Sequence, residues 1–252
     1  MANVVLNINI MRGSHTYKTL NRTVGKTIHQ YDMIAHGDRI AVGLSGGKDS
    51  LALMWILKER QSRIPISYEL FAIHIDPGFE GGFSEKLESH AKEMGYSLRT
   101  EHTDYGTLAH SAQNRENPCF MCSRLRRKRI FEIAGEFGCN KVALGHNKDD
   151  LIETLFLNMC YAGEISTMMP SQTFFGGKFI LIRPLASTNE DTVRRFAKEQ
   201  NFPDFVNPCP SAKVSKRQEI KMLLNQLYRT NRRIRGNIFR AMSHVRPDYL
   251  LK

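Results

Sequence analysis

The sequence predicts an α/β fold: a parallel sheet of five strands with helices on both faces, preceded by an N-terminal helix and followed by a basic helical segment. Three observations carry this. Short apolar runs at 39–44, 69–75, 97–102, 141–144 and 179–182 alternate with helical stretches, the pattern of βαβ units. Two of these runs end in polar turns, Leu44-Ser45-Gly46-Gly47 and Leu144-Gly145-His146, that lead straight into helices. The chain of 252 residues, 41% of them apolar, is long enough to bury a substantial core.

Taken in order, Leu20, Val24, Ile28, Tyr31 and Ile34 recur at helical spacing. They predict an amphipathic helix across 16–36, which packs on the α/β region next to it and offers a surface for a homodimer. The first strand, 39–44, is followed by a Gly-rich turn and a helix at 51–57. The second strand, 69–75, closes on Asp76, Pro77 and Gly78, and a helix over 84–94 stops at Gly95. After the third strand, 97–102, a helix over 122–137 stops at Gly138. The fourth strand, 141–144, precedes a helix that opens at Asp149 and ends near Gly163. The fifth, 179–182, is broken by Pro184. Helices are expected at 189–200, 217–228 and 231–243. The expected division is a leader and helix over 1–37, an α/β domain over 38–205, and a basic segment over 206–252. Residues 1–11 lack the charged start and cleavage site of a signal peptide, and no apolar run is long enough to span a membrane. The expected location is therefore the cytoplasm.

A net charge of +11, from 36 Lys and Arg against 25 Asp and Glu, points to a polyanionic partner. One cluster comprises Arg124, Arg126, Arg127, Lys128 and Arg129. A second runs from Lys213 and Lys216 through Arg217, Lys221, Arg229, Arg232, Arg233, Arg235 and Arg240 to Arg246. Solvated helix faces are the plain reading of one such run; two of them favour RNA.

Parallel sheets bind ligands beyond the carboxyl ends of their strands, where strand order reverses. Chemistry is therefore expected after strands one, two and four. Ser45-Gly46-Gly47-Lys48-Asp49-Ser50 follows the first strand. Its glycines permit a tight turn whose N–H groups approach an anion, Ser45 and Ser50 add hydroxyls, and Lys48 neutralises a phosphate. The spacing is not that of a Walker A loop. After strand four, Gly145, His146, Asp149 and Asp150 form a second polar turn, whose carboxylates either cap the helix or hold Mg²⁺ beside phosphates. His74 and Asp76 close strand two.

Five cysteines, an odd count, argue against a disulfide scaffold. Cys139 and Cys160 sit among apolar residues and are expected to be buried, inert thiols. Cys119 and Cys122 form a CxxC pair, and Cys209 stands ninety residues after Cys119. A structural zinc site needs four ligands, whereas three thiolates suit a 4Fe-4S cluster with one iron left open.

These motifs carry a resemblance. SGGKDS resembles the SGGxDS signature of PP-loop ATP pyrophosphatases, with a Rossmann-like, adenine nucleotide alpha hydrolase-like fold. That implies ATP cleaved between its α and β phosphates, with AMP transferred to a substrate oxygen. The turn at 145–150, with Glu153 and Thr154 after it, resembles the second motif of tRNA-directed members. Cys119-Phe120-Met121-Cys122-Ser123-Arg124-Leu125-Arg126-Arg127 resembles the CxxCSRLRR segment of tRNA 2-thiocytidine synthetases, and Cys209 stands eight residues before Arg217, as their third cluster cysteine does. The likeness covers 38–227; around Cys209 it departs, reading Cys209-Pro210-Ser211-Ala212 where the family often has a second Cys and a Gly-Ser pair.

The resemblance implies a tRNA thiolase that adenylates the C2 oxygen of a cytidine in the anticodon loop and replaces it with sulfur. ATP would lie on Ser45, Gly46, Gly47, Lys48, Asp49, Ser50, His74, Asp76, Gly145 and His146, with Lys48, Asp49 and Asp149 catalytic and Asp149 a candidate to hold Mg²⁺ or position the substrate. Cys119, Cys122 and Cys209 would ligate the 4Fe-4S cluster. Arg124, Arg126, Arg127 and Arg217 would hold RNA, and a sulfur donor such as a cysteine desulfurase would be a partner. The rival readings are another PP-loop chemistry, lysidine synthesis or persulfide thiolation, and a zinc-stabilised RNA-binding module without catalysis.

Overall fold

The computed structural model describes residues 13–211 and 215–250. The leader at 1–11 and Lys213 lie outside the described residues. Helix α1 (His15–Gln30) opens on Ser14, whose hydroxyl accepts from the Tyr17 N–H. Its buried face is Tyr17, Leu20, Val24 and Thr27. Tyr17 meets Trp55 edge-on, Trp55 meets Phe196, and the Tyr17 hydroxyl donates to Glu59 at 2.8 Å. The apolar stripe packs on the α/β region as expected, with Leu20 and Val24 buried and Ile28, Tyr31 and Ile34 against the same core.

The parallel strands are β1 (Asp38–Gly43), β2 (Tyr68–Asp76), β3 (Leu98–His102), β4 (Lys141–Ala143) and, last in the chain, β6 (Phe179–Ile182). A further strand, β5 (Ser171–Phe174), pairs antiparallel with β6 through the turn at Phe175–Gly177. The sheet order is β3-β2-β1-β4-β6-β5, so it holds six strands where five were expected. Side chains alternate across it as the pleat requires. Ile40, Val42 and Ala72 join the core under α1, α2 (Lys48–Gln61), α3 (Ser84–Glu93) and α7 (Glu190–Glu199). Ala41, Ile73, Ile75 and Val142 pack on the other face against α5 (Pro118–Glu136). The short helix α4 (Tyr105–Ala109) lies between β3 and α5 in sequence.

From β1 the chain adds β2 and β3 on one side, then crosses to β4 on the other. Strand order therefore reverses between β1 and β4, and the turns after these two strands stand side by side. Helix α5 begins earlier than expected. The Asn117 side chain accepts from the Phe120 N–H at 3.2 Å and Pro118 takes the first helical position, so the CxxC pair lies inside the helix instead of ahead of it.

The chain forms two compact units. Residues 13–147 and 169–211 make the first; 148–168 and 215–250 make the second. These limits differ from the expected 1–37, 38–205 and 206–252. In the second unit, α6 (Lys148–Leu157) and the π-turn Asn158–Ala162 join α8 (Lys216–Thr230) and α9 (Ile234–Ala241). Ile152, Ile220 and Leu224 form its core. No helix among the described residues is long and apolar enough to cross a membrane.

Candidate active site

The turn after β1 is built to leave backbone N–H groups open. Gly46 has φ +79°, and a Cβ there would collide with the Phe83 ring, so both torsion and space demand glycine. The Ser50 hydroxyl closes the turn: it accepts from the Ser45 N–H at 3.1 Å and donates to the Gly47 carbonyl at 2.9 Å. Gly47 then caps α2 in an extended conformation without a side-chain acceptor, leaving the first N–H groups of the helix for an anion.

Lys48 extends to Asp49 Oδ2 at 2.8 Å and Glu190 Oε1 at 3.0 Å. Burial alone would lower its pKa, but the two carboxylates outweigh burial and raise it, so the ammonium is firmly charged. Glu190 opens α7 and was not among the expected site residues; only its place in an acidic first turn marked it in the sequence.

The turn after β4 lies directly against this loop. A Cβ on Gly145 would stand 2.9 Å from Asp49 C and Ser50 N, and Asn147 Nδ2 donates to Asp49 Oδ1 at 3.0 Å. Asp49 is therefore gripped from both sides, by Lys48 and by Asn147. Asn147 was missed, although it stands inside the quoted motif. His146 Nδ1 accepts from Arg183 Nε at 3.3 Å. Arg183 is buried at the end of β6, which lowers its pKa to about 10, with Arg127 adding repulsion. Nothing in the sequence marked it.

At the mouth of β2, His74 is buried, with Nδ1 2.8 Å from the Leu44 carbonyl and Nε2 3.1 Å from Ser84 Oγ. Burial lowers its pKa, so it is a neutral strut between β2 and the start of the phosphate loop. Ser84 donates to Asp76 Oδ2 at 2.6 Å. Burial would raise the Asp76 pKa, but the Ser84 and Gly78 hydrogen bonds, with His102 and His74, bring it below its usual value.

A cleft of about 210 Å³ lies over these residues, lined on one side by Ser45, Gly46 and Gly47 and on another by His74 and Asp76. Arg126 and the Asn207–Pro208 segment complete its wall. Arg126 stands one helical turn beyond Cys122, and Pro208 directly precedes Cys209. The phosphate loop and the thiol-bearing segments thus meet at one cavity. Phe83 stacks on Phe205 with centroids 5.1 Å apart, a floor that no sequence signal foretold.

Cys119 is exposed, while Cys122 and Cys209 are half-buried. Cys119 and Cys122, three positions apart in α5, share a helix face. Burial raises the Cys122 pKa; Arg126 opposes this, and Cys209 and Cys119 add to it, so both other thiols lie within electrostatic reach of Cys122. This donor set suits a cluster held by three thiolates. Among the described residues no three His, Cys, Asp or Glu side chains are gathered closely enough to hold a metal ion as they stand. Cys139 is buried, with its thiol pushed up to about 11 by burial, but Cys160 is exposed on the π-turn, contrary to expectation.

The expected RNA contacts are divided between the two units. Arg124 pairs with Glu116 at 3.1 Å, and Arg127 is exposed. Arg217 belongs to the second unit, where it meets Glu153 at 3.2 Å and Asp150 at 3.6 Å. Asp149 belongs to that unit too and is ion-paired with Arg235 at 3.1 Å, which a metal would have to displace. Arg229, Arg232, Arg233, Arg240 and Arg246 are exposed and, among the described residues, have no carboxylate partner.

The PP-loop domain family matches residues 16–227. A tRNA-cytidine(32) 2-sulfurtransferase of Syntrophotalea carbinolica is 38% identical over 238 residues, 93% of this chain and 92% of the relative. Another of that name from Geotalea daltonii is 38% identical over 239 residues, 93% of this chain and 94% of the relative. Among solved structures, a U34-tRNA thiolase from Methanococcus maripaludis with its 4Fe-4S cluster is 27% identical with a TM-score of 0.75, covering 91% of this chain and 78% of the other. An NH3-dependent NAD synthetase from Campylobacter jejuni, 15% identical with a TM-score of 0.52, covers 92% of this chain and 93% of the other and shares the fold. With more than four-fifths of its length inside the family match and relatives matched over 93% of it, the chain belongs to the PP-loop domain family.

Proposed function

We propose that the protein is an ATP-dependent tRNA thiolase that converts a cytidine of the anticodon loop to 2-thiocytidine. The support lies in one observation above all: Arg126 and Asn207–Pro208, neighbours of Cys122 and Cys209, line the same cleft as Ser45–Gly47. An ATP loop by itself leaves the substrate open; a cleft walled by that loop and by neighbours of the CxxC pair and Cys209 favours sulfur transfer. The relatives' names give the tRNA cytidine, and the structural neighbour carries a 4Fe-4S cluster.

In this reading, MgATP places its outer phosphates on the N–H groups of the loop and on Ser45, Ser50 and Lys48. Lys48 exchanges its carboxylate partners for phosphate, and Asn147 keeps Asp49 in place as it does so. The cytidine O2 attacks the α-phosphorus, forming a P–O bond while pyrophosphate leaves with the electron pair of the α–β bridge. The C2–O bond is now weak, since AMP is a good leaving group, and sulfur takes its place at C2. A 4Fe-4S cluster on Cys119, Cys122 and Cys209 would supply sulfur-binding iron beside that carbon. A single-stranded loop suits a base that must leave its stack. Exposed Arg229, Arg232, Arg233, Arg240 and Arg246 would hold tRNA phosphates, and a cysteine desulfurase would feed sulfur.

Anaerobically purified protein should contain four irons and four sulfides per chain, and lose them with thiolation in Cys119→Ala, Cys122→Ala and Cys209→Ala. Cys160→Ala, exposed though it is, should keep both. One zinc per chain with full thiolation and no iron would refute the cluster route. Full activity in Cys209→Ala would favour a persulfide on the CxxC pair.

A further inference from the structure

Arg126 differs from the other cations of α5. Arg129 is held by Glu101, Glu132 and Glu136, Arg124 by Glu116, and Lys128 lies 3.9 Å from Glu132. Arg126 has no carboxylate partner among the described residues, and its Nε is buried without a hydrogen-bond partner. A guanidinium with a buried, unsatisfied N–H is destabilising until an anion meets it. The side chain is turned into the cleft wall, not outward toward solvent as Arg127 is. Around it stand neutral His74 and the Cys122 thiol, while Asp76, the cleft's carboxylate, is occupied by Ser84, the Gly78 N–H and His102. Among the described residues the cavity thus offers Arg126 the Cys122 sulfur as a hydrogen-bond partner, but no carboxylate and nothing for its buried Nε.

We propose that Arg126 binds the α-phosphate of the nucleotide and remains on it as AMP departs, making it a catalytic residue of adenylyl transfer instead of a tRNA-backbone contact. The proposal rests on the nucleotide reading above. The loop at Ser45–Ser50 supplies donors for the two outer phosphates, and the third, the reacting one, needs a cation from the opposite wall. Arg126 lies four residues beyond Cys122 and so on the same helix face, and it lines the cleft together with the loop. In the first step the bond from O2 to the α-phosphorus forms and the bridge to pyrophosphate breaks. In the second, the C–S bond forms and AMP leaves with the C2–O electron pair. The α-phosphate bears negative charge throughout both, and a guanidinium neutralises it without moving a proton.

Titration calorimetry of the anaerobically purified full chain with AMP, pyrophosphate and unmodified tRNA tests this. Arg126→Met should weaken AMP binding about tenfold or more, the loss of a charge-assisted hydrogen bond. Arg126→Lys should weaken it less, and in both variants pyrophosphate and tRNA affinities should stay within about twofold of wild type. Retained pyrophosphate binding reports an intact loop. Unchanged AMP affinity in Arg126→Met overturns the proposal, as does a fall in tRNA affinity with AMP binding preserved, or an equal loss of AMP and pyrophosphate in Arg126→Lys. Wild-type protein that binds neither AMP nor pyrophosphate overturns the nucleotide reading itself, and the proposal with it.

Discussion

Gly145→Ala tests the contact between the two loops. The added Cβ would lie 2.9 Å from Asp49 C and Ser50 N and 3.0 Å from Asp49 O, all backbone atoms that cannot rotate away. Ordinary contact needs about 3.4–4 Å, so the loops must separate by about 0.5–1 Å. The φ of Gly145 lies outside the left-handed region, so the cost comes from the contact and not from torsion. Overpacking of this kind costs about 1–3 kcal/mol. At about 2–4 °C per kcal/mol for a chain of this size, the melting temperature should fall by about 2–12 °C. The displacement falls on the 3.0 Å bond from Asn147 to Asp49, and misplacement on this scale should lower kcat for AMP release about 100-fold. Gly37→Ala is the opposite control: φ is +84° with nothing within 4 Å of the new Cβ, so it should cost about 1 kcal/mol of stability and leave kcat unchanged. Steady-state AMP release and thermal melts of both variants give the comparison. Wild-type turnover and melting in Gly145→Ala would refute the reasoning.

Two other predictions concern the second unit. Burial holds the Glu153 carboxyl at about 7, against 4.5 when free, with Asp150 adding to the rise and Lys221 and Arg217 opposing it. The folded state then binds more protons than the unfolded one between those values. The stabilisation is complete below 4.5 and is lost as pH rises through 7, by up to about 3 kcal/mol, and Glu153→Gln should flatten that slope in urea melts from pH 4 to 8. A wild-type slope retained in the variant would assign it to other groups. Arg232→Ala with Arg233→Ala should weaken tRNA binding at all sequences and reduce its log–log salt slope by about 1–2. An unchanged slope would move the RNA surface elsewhere.

The phosphate loop was legible because its chemistry is local: Gly46, Gly47, Ser45 and Ser50 act within one turn, and the strand and helix on either side are short periodic runs. The five parallel strands were legible for the same reason. Strand β5 was not, since Ser171–Phe174 is only four residues and gains its place from pairing with β6. The second unit was hidden for a different cause. Ile152 meets Ile220 and Leu224 only when distant segments fold together, which no linear division reveals. Arg126 and Arg127 are identical in composition and adjacent in sequence. Helical phase sends one into the cleft and leaves the other in solvent, but the sequence could not say which face was which. Cys160 was misread because apolar neighbours such as Met159 and Tyr161 are themselves exposed.

The central claim, adenylation of a tRNA cytidine followed by sulfur substitution, is tested most directly by product stoichiometry. Anaerobic protein would be incubated with ATP labelled at the α-phosphate, a sulfur donor and unmodified tRNA. Nucleotides would then be separated by chromatography and the digested tRNA analysed by mass spectrometry. One AMP and one pyrophosphate for each 2-thiocytidine is the predicted result. ADP and free phosphate as the products, or AMP release with every cytidine unchanged, would contradict it.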